Sequence, residues 1–328
     1  MKVIAPALLA ALLCGCRSYH PLQDPGLRLP LSEPDSAASA EGVEVTFLGN
    51  TTLLIKDRET TLLVDGFLSR PGALKTLAGK IGPDWATISS ELGKAGVSKV
   101  DAVLVGHAHH DHALDATAIA DHFGAAVYGS ESFGNIYRGS HDPSARGRFV
   151  PVPANGGKFS VGRFEVTFAP SDHVGSHSLL QRVVEGSIDQ PLSLPAHYSR
   201  FKCGDVFALH IAHPDGAIAV TTTAGAKANQ LSGLRANVLF LGVGLLAKEP
   251  ADKQDQYFRE TVEATRPDLI VPVHWDNFSR KLTRGLKPSA LDDVESAMAL
   301  VKAKAGERKV RILDLRESVH LRGGRISM

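Results

Sequence analysis

Short apolar runs bounded by turn residues recur along the chain. Three come in quick succession, Gly42–Gly49, Thr51–Ile55 and Thr61–Asp65, and their β-branched content predicts strands. Further runs at Val100–Val105, Phe164–Phe168, Ala217–Thr221 and Ile270–Trp275 have the same character, and Gly106 ends the first of these. Between them lie stretches with helical spacing, among them Ala113–Phe123, Tyr257–Thr265 and Ala290–Ala305. Strands alternating with helices predict an α/β class and one domain from Gly42 to the end. Ser18–Ala40 is rich in Pro, Ser and Ala and reads as a flexible tether.

The first residues carry a different pattern. Lys2 supplies a positive charge, and Val3–Leu13 is almost wholly apolar but too short to span a bilayer as a mature helix. Leu13-Cys14-Gly15-Cys16 then resembles a bacterial lipoprotein signal, with cleavage behind the small Gly15 and a lipid on Cys16. An ordinary secretory signal with incidental cysteines is the plainer alternative. The lipoprotein reading divides the chain into a signal peptide (1–15), a tether (16–41) and a folded domain (42–328). It places the domain in the bacterial envelope, attached to the membrane by the lipid alone. Arg17 stands where an acidic residue would favour the inner membrane, so the expected address is the outer membrane, facing the periplasm. Cys203 would then be the one remaining thiol, leaving no partner for an intrachain disulfide.

His107-Ala108-His109-His110-Asp111-His112 follows the Val100–Val105 strand. Read as H-x-H-x-D-H, it puts His107 and His109 on one side of extended chain, since alternate residues project the same way. Asp111 and His112 converge from the turn beyond. Neutral imidazole is the commonest protein ligand for zinc and its neighbours, and the loop could serve two adjacent metals. A polar surface loop that happens to hold histidines is the bland reading, and the preceding strand argues against it.

This motif, the opening strands ending in Asp65, Ser171-Asp172-His173 after the Phe164–Phe168 strand, and His274 at the end of Ile270–Trp275 together resemble the metallo-β-lactamase superfamily. The likeness runs from about Gly42 to Val319 and is closest to its lactonase-like and related metal-dependent hydrolase branch. It implies a four-layer αββα sandwich. It also implies zinc or another divalent metal, as one or two ions, held by His107, His109 and His173 at one position and by Asp111, His112 and His274 at the other. Asp65 would orient a histidine from behind, although a cap at an element end explains it equally well.

One departure concerns a bridging aspartate, which the family places in a T-G-D sequence between the third and last histidines. The nearest counterpart here is Thr222-Thr223-Ala224-Gly225-Ala226, with Ala226 where the carboxylate should be. Two dications roughly 3.5–4 Å apart repel strongly, so the second position is expected to be the weaker. Asp205 and Asp215 are possible substitutes, but the Pro-Asp-Gly turn explains Asp215 without a metal, and Asp205 precedes the strand pair.

Other histidines read more plainly. His110 is expected to face away from the metals, and His122 to cap a helix C-terminus. His177 and His197 lie in Gly175–Lys202, a segment long enough to be a lid or substrate wall rather than a simple connector. Trp275 and Phe278 could line a pocket, and two aromatics beside a strand end are as often core. Lys plus Arg total 36 against 35 acidic residues, without a basic stripe, so nucleic-acid binding has no electrostatic footprint. The expected activity is a metal-dependent hydrolase. It would attack an ester, lactone, amide or phosphodiester in a small-molecule substrate with a metal-activated water that Asp111 holds. The competing reading, favoured by Ala226, is a non-hydrolytic metal-binding envelope protein.

Overall fold

The computed structural model describes residues 19–28, 30 and 42–328. Cys14, Cys16 and the signal-peptide reading lie outside the described residues.

Among the described residues, fifteen strands form two sheets. They are β1 (Val43–Phe47), β2 (Leu53–Lys56), β3 (Thr61–Val64), β4 (Ala102–Leu104), β5 (Ala126–Gly129), β6 (Arg148–Pro151), β7 (Gly157–Val161) and β8 (Phe164–Ser171). The rest are β9 (Val206–His213), β10 (Gly216–Thr221), β11 (Val238–Gly242), β12 (Leu269–Val273), β13 (Lys309–Val310), β14 (Ser318–Arg322) and β15 (Arg325–Ser327). One sheet has the order β15-β14-β1-β2-β3-β4-β5-β6 and the other β13-β12-β11-β10-β9-β8-β7.

In each sheet one side is antiparallel, β15-β14-β1-β2-β3 in the first and β10-β9-β8-β7 in the second. The stretches β3–β6 and β10–β13 are parallel. Every residue of β3, β4, β5, β11 and β12 is buried, the signature of parallel strands covered on both faces. On one side the sheets meet each other, as Tyr128 of β5 packs its ring against Phe159 of β7 and Phe168 of β8. On the other side helices cover them. Helices Ala116–Phe123 and Glu131–Ser140 lie against β4–β6. Tyr257 of helix Ala251–Phe258 reaches Thr221 and Gly242 at the ends of β10 and β11. This is the αββα sandwich.

The helical stretch expected over Ala113–Phe123 divides into a turn, His110–Ala113, and a helix, Ala116–Phe123. Asp115 breaks it. Its carboxylate accepts from the amides of Leu68 and Ser69 and from Ser69 Oγ at 2.6–2.7 Å. The helix expected from Tyr257 begins earlier, at Ala251, and passes into a π-helical turn at Arg259–Glu263. That expected from Ala290 starts at Val294, where the Asp293 carboxylate accepts from Ser296 N.

The described part of the expected tether is docked rather than free. Pro21 and Leu27 are buried, Ile312 N donates to Leu27 O, and Arg28 pairs with Glu317 at 2.6 Å. Asp24 receives Tyr19 Oη and Lys302 Nζ. Composition alone missed these contacts because their partners lie almost 300 residues away in sequence.

Candidate metal centre

Strand β4 delivers the histidine loop. After Leu104 the chain passes through Gly106, where an added Cβ would sit 2.5 Å from Thr222 Oγ1, so only glycine lets the loop approach the end of β10. The loop is held from outside as well, since Ala108 N donates to Cys203 O. His173 follows β8 and His274 follows β12. Both sheets therefore feed ligands to one end of the sandwich.

The six residues singled out in the sequence come together as two groups. His107, His109 and His173 form one, Asp111, His112 and His274 the other, and within each the ligand atoms lie within 4.8 Å of one another. His107 and His112 have ring centroids only 3.9 Å apart, so the groups adjoin.

Each histidine of the first group has one nitrogen engaged from behind. His107 Nδ1 faces Thr222 Oγ1 at 3.3 Å, His109 Nε2 faces Val184 O at 3.2 Å, and His173 Nδ1 faces Val174 O at 2.8 Å. The free nitrogens point inward, with His107 Nε2 and His109 Nδ1 3.2 Å apart. Such outer partners fix the tautomer that leaves a lone pair for a metal.

In the second group, His112 Nδ1 donates to Asp65 Oδ2 at 2.7 Å, while His112 Nε2 and His274 Nε2 lie 3.4 and 3.3 Å from Asp111 Oδ2. Asp65 is itself anchored by Gly106 N at 2.9 Å and by Thr51 Oγ1 at 2.5 Å. His274 fits because residue 244 is glycine, where a Cβ would stand 2.7 Å from its Nδ1. Asp65 and His274 both have positive φ, 55° and 62°. Non-glycine residues rarely hold that conformation, and when they do it tends to be at functional sites.

The electrostatics separate the two groups. Burial, followed by the neighbouring imidazoles, holds His107 and His109 well below the ordinary imidazole range. Burial likewise brings His173 down to about 4. Burial also opposes a charge on His112, but Asp111 and Asp65 outweigh it and push His112 up to about 10. Asp111 is the converse. Burial would raise it, yet His112 and His274 hold it well below the usual carboxylate range. The first group is a neutral nitrogen cage and the second a charged cluster. Both donor sets suit a borderline dication.

The segment after β10 runs beside the first group. Thr222 touches His107, and Thr223 Oγ1 accepts from Val174 N beside His173 at 3.1 Å. Ala226 is buried among apolar residues, and its carbonyl accepts from Gln256 Nε2. Gly225 lies against the backbone of Asp172 and His173, where a Cβ would stand 2.2 Å from Asp172 O. Asp215 stays in its turn, accepting from Gly323 N, and Asp205 is exposed before β9.

His110 turns away from both groups into a ring of Phe67, Tyr198, Phe201 and Phe278. Phe278 also meets His274, while Trp275 is fully buried. His122 packs its ring at a tilt against Trp85, and Gly124 ends its helix. His177 pairs with Glu249, and His197 Nε2 lies 3.1 Å from Leu77 O. Burial raises the Cys203 thiol to about 12, far from a nucleophile's range.

Sequence reasoning missed Asn50. Its amide Nδ2 donates to Asp111 O, its backbone N–H goes to Asp276 Oδ1, and its carbonyl accepts from His274 N. Arg70 holds the other oxygen of Asp276 at 2.6 Å in a fully buried pair. Neither residue belongs to a local motif, so no spacing signalled them.

The fold and the paired His/Asp groups resemble a metal centre of the metallo-β-lactamase type. The family model described as "Metallo-beta-lactamase superfamily" matches residues 45–186. A UPF0173 metal-dependent hydrolase of Carboxydothermus hydrogenoformans is 31% identical over 136 residues, 41% of this chain and 49% of that protein. Another, from Symbiobacterium thermophilum, is 24% identical over 245 residues, 72% of this chain and 85% of its own length. The chain spans about half the length of the first of these curated relatives. Among solved structures, Igni18, a metallo hydrolase of Ignicoccus hospitalis, superimposes with a TM-score of 0.53 at 18% identity, covering 84% of this chain and 97% of that one. CmlA, a diiron β-hydroxylase of Streptomyces venezuelae, does so at 0.52 and 17%, covering 86% and 54%. These two likenesses show the fold. The family match and the curated relatives support the metallo-β-lactamase superfamily for this chain.

Proposed function

We infer that the protein is a metal-dependent hydrolase. The observation that carries this is the tautomer-fixing shell. Every histidine of the first group has its outer nitrogen engaged, so the inner nitrogens are set to face a metal, while Asp65 orients His112, whose Nε2 proton a metal would displace. A buried histidine cluster kept neutral has no structural purpose that apolar residues would not serve better. The curated relatives, named as metal-dependent hydrolases, support the same reading.

His107, His109 and His173 would hold one dication, and Asp111, His112 and His274 a second. Zinc suits these donors best. A dication there supplies Lewis acidity, lowering the pKa of a water to about 7 and polarising a carbonyl or phosphoryl oxygen. Asp111, ionised and wedged between His112 and His274, is the group positioned to accept a hydrogen bond from the attacking water and orient it. Phe278, half-buried beside His274, offers an apolar wall to a small-molecule substrate. The bond attacked is an ester, lactone, amide or phosphodiester. We place the protein in the bacterial envelope on the strength of the Leu13–Cys16 pattern.

One observation favours a second reading, a metal-binding protein without hydrolytic activity. Among the described residues, neither group of ligands contains a carboxylate besides Asp111 that would bridge two ions. Elemental analysis of the purified full chain, with lactone, ester, amide and phosphodiester substrates assayed before and after chelation, separates the two. Metal-dependent turnover that returns on adding zinc is expected. Bound metal with no turnover on any class would favour the second reading.

A further inference from the structure

The ligands left partly exposed are His173 and His274, so the metal centre opens between the chain after β8 and the turn after β11. Both borders carry bare apolar side chains. Past His173, Leu179, Leu180 and Val183 are 77%, 52% and 42% exposed, and Leu291 beyond the other border is 82% exposed. The borders are joined. His177 Nε2 and Gly175 N both reach Glu249 Oε1 at 2.7 Å, and on the same turn Lys248 Nζ donates to Leu291 O while Leu245 N donates to Asp292. Val184, next to Val183, faces His109. Apolar side chains gathered at a site mouth are a mark of a membrane or partner surface.

The N-terminal segment indicates which partner. Its described part is docked beside the same opening. His20 packs edge-on against Trp275, next to ligand His274, and Tyr19 comes under the influence of Glu295, at the start of the helix that Leu291 precedes. Cys16 lies three residues before Tyr19, and three extended residues reach at most roughly 11 Å. A lipid on Cys16 would therefore lie within about 11 Å of Tyr19. The bilayer surface would have to lie against the Tyr19–Leu291 side of the domain.

We propose that this face rests on the membrane, with Leu291, Leu179 and Leu180 entering the headgroup layer of a phospholipid bilayer, so that the metal centre opens onto the lipid surface. The partner is the bilayer, and the substrate is drawn from amphiphiles resident in it. Among the described residues no helix is long and apolar enough to cross a membrane. The proposal rests on the lipid anchor at Cys16.

The test uses full-length, lipidated protein reconstituted into vesicles of phosphatidylethanolamine and phosphatidylglycerol. Single cysteines replace Leu179, Leu291 or Arg163 and carry a nitroxide label, since native Cys203 is buried. Arg163 is an exposed control at the far end of β8 from His173. After flotation confirms attachment, power saturation compares collisions with oxygen and with a water-soluble nickel chelate. The labels at 179 and 291 are expected to favour oxygen severalfold over the label at 163. If all three are equally open to nickel while the protein floats, the anchor stands and the membrane-facing surface is wrong. If the unlabelled protein does not float, the anchor reading fails and the proposal falls with it.

Discussion

Asp65 Oδ2 and His112 Nδ1 lie 2.7 Å apart, and neither side chain is more than 1% exposed. The contact spans 47 residues of sequence and fixes which His112 nitrogen is free to face Asp111. Asp65→Asn should uncouple it. Asparagine tolerates the positive φ at this position, so the fold should survive. Metal affinity at the second group should fall about 10–100-fold, as loss of such outer partners usually causes. Competition with a chromophoric chelator measures it. Unchanged affinity would reduce Asp65 to an anchor for Gly106.

The opposite polarity of the two groups sets the proton balance of metal binding. At pH 7 the metal-free His112, raised to about 10, holds its proton, whereas His173, lowered to about 4, holds none. Occupying His112 Nε2 requires that proton to leave, so affinity at the second group should rise with pH between 7 and about 10. His107 and His109 are held low too, so the first group should show no such dependence over that range. Calorimetry in two buffers of different ionisation enthalpy should find about one proton released per chain when both groups fill. Zero release at saturation would mean that the second group stays empty.

Thr222→Val keeps the shape that packs against Gly106 but removes the oxygen facing His107 Nδ1. Affinity at the first group should drop by about tenfold or more, with little change in thermal stability. A drop confined to stability would show that the hydroxyl matters only for packing.

Arg70→Met should destabilise the fold by about 3–5 kcal/mol, because it leaves Asp276 charged and buried without its partner. Asp276 also holds Asn50 N, and Asn50 carries Asp111 O and His274 N, so metal affinity should weaken as well. Urea unfolding of the single variant and of Arg70→Met with Asp276→Asn checks the argument. The double variant should recover part of the loss. Equal losses in both would place the cost in packing around Arg70 rather than in the orphaned charge.

The sequence by itself determined most of the strands and the identity of the ligand groups. Strands such as Thr61–Val64 and Leu269–Val273 are legible because sheet burial forces apolar, β-branched runs. His107, His109, Asp111 and His112 are legible because a strand followed by a tight loop converts their local spacing into convergence. Only the tertiary structure decided how those ligands are held. Asp65, Thr222, Asn50 and Val184 act across tens of residues or more, and nothing in their local spacing records the partner. Tertiary contacts also docked Tyr19–Arg28, whose composition reads as loose chain but whose Leu27, Asp24 and Arg28 find partners on the C-terminal third of the domain. The same is true of Thr222 and Thr223, which face the first group because of the register of β10 against β11 and not because of any motif. Periodicity and motif are properties of neighbours along the chain, whereas orientation of a ligand is a property of neighbours in space.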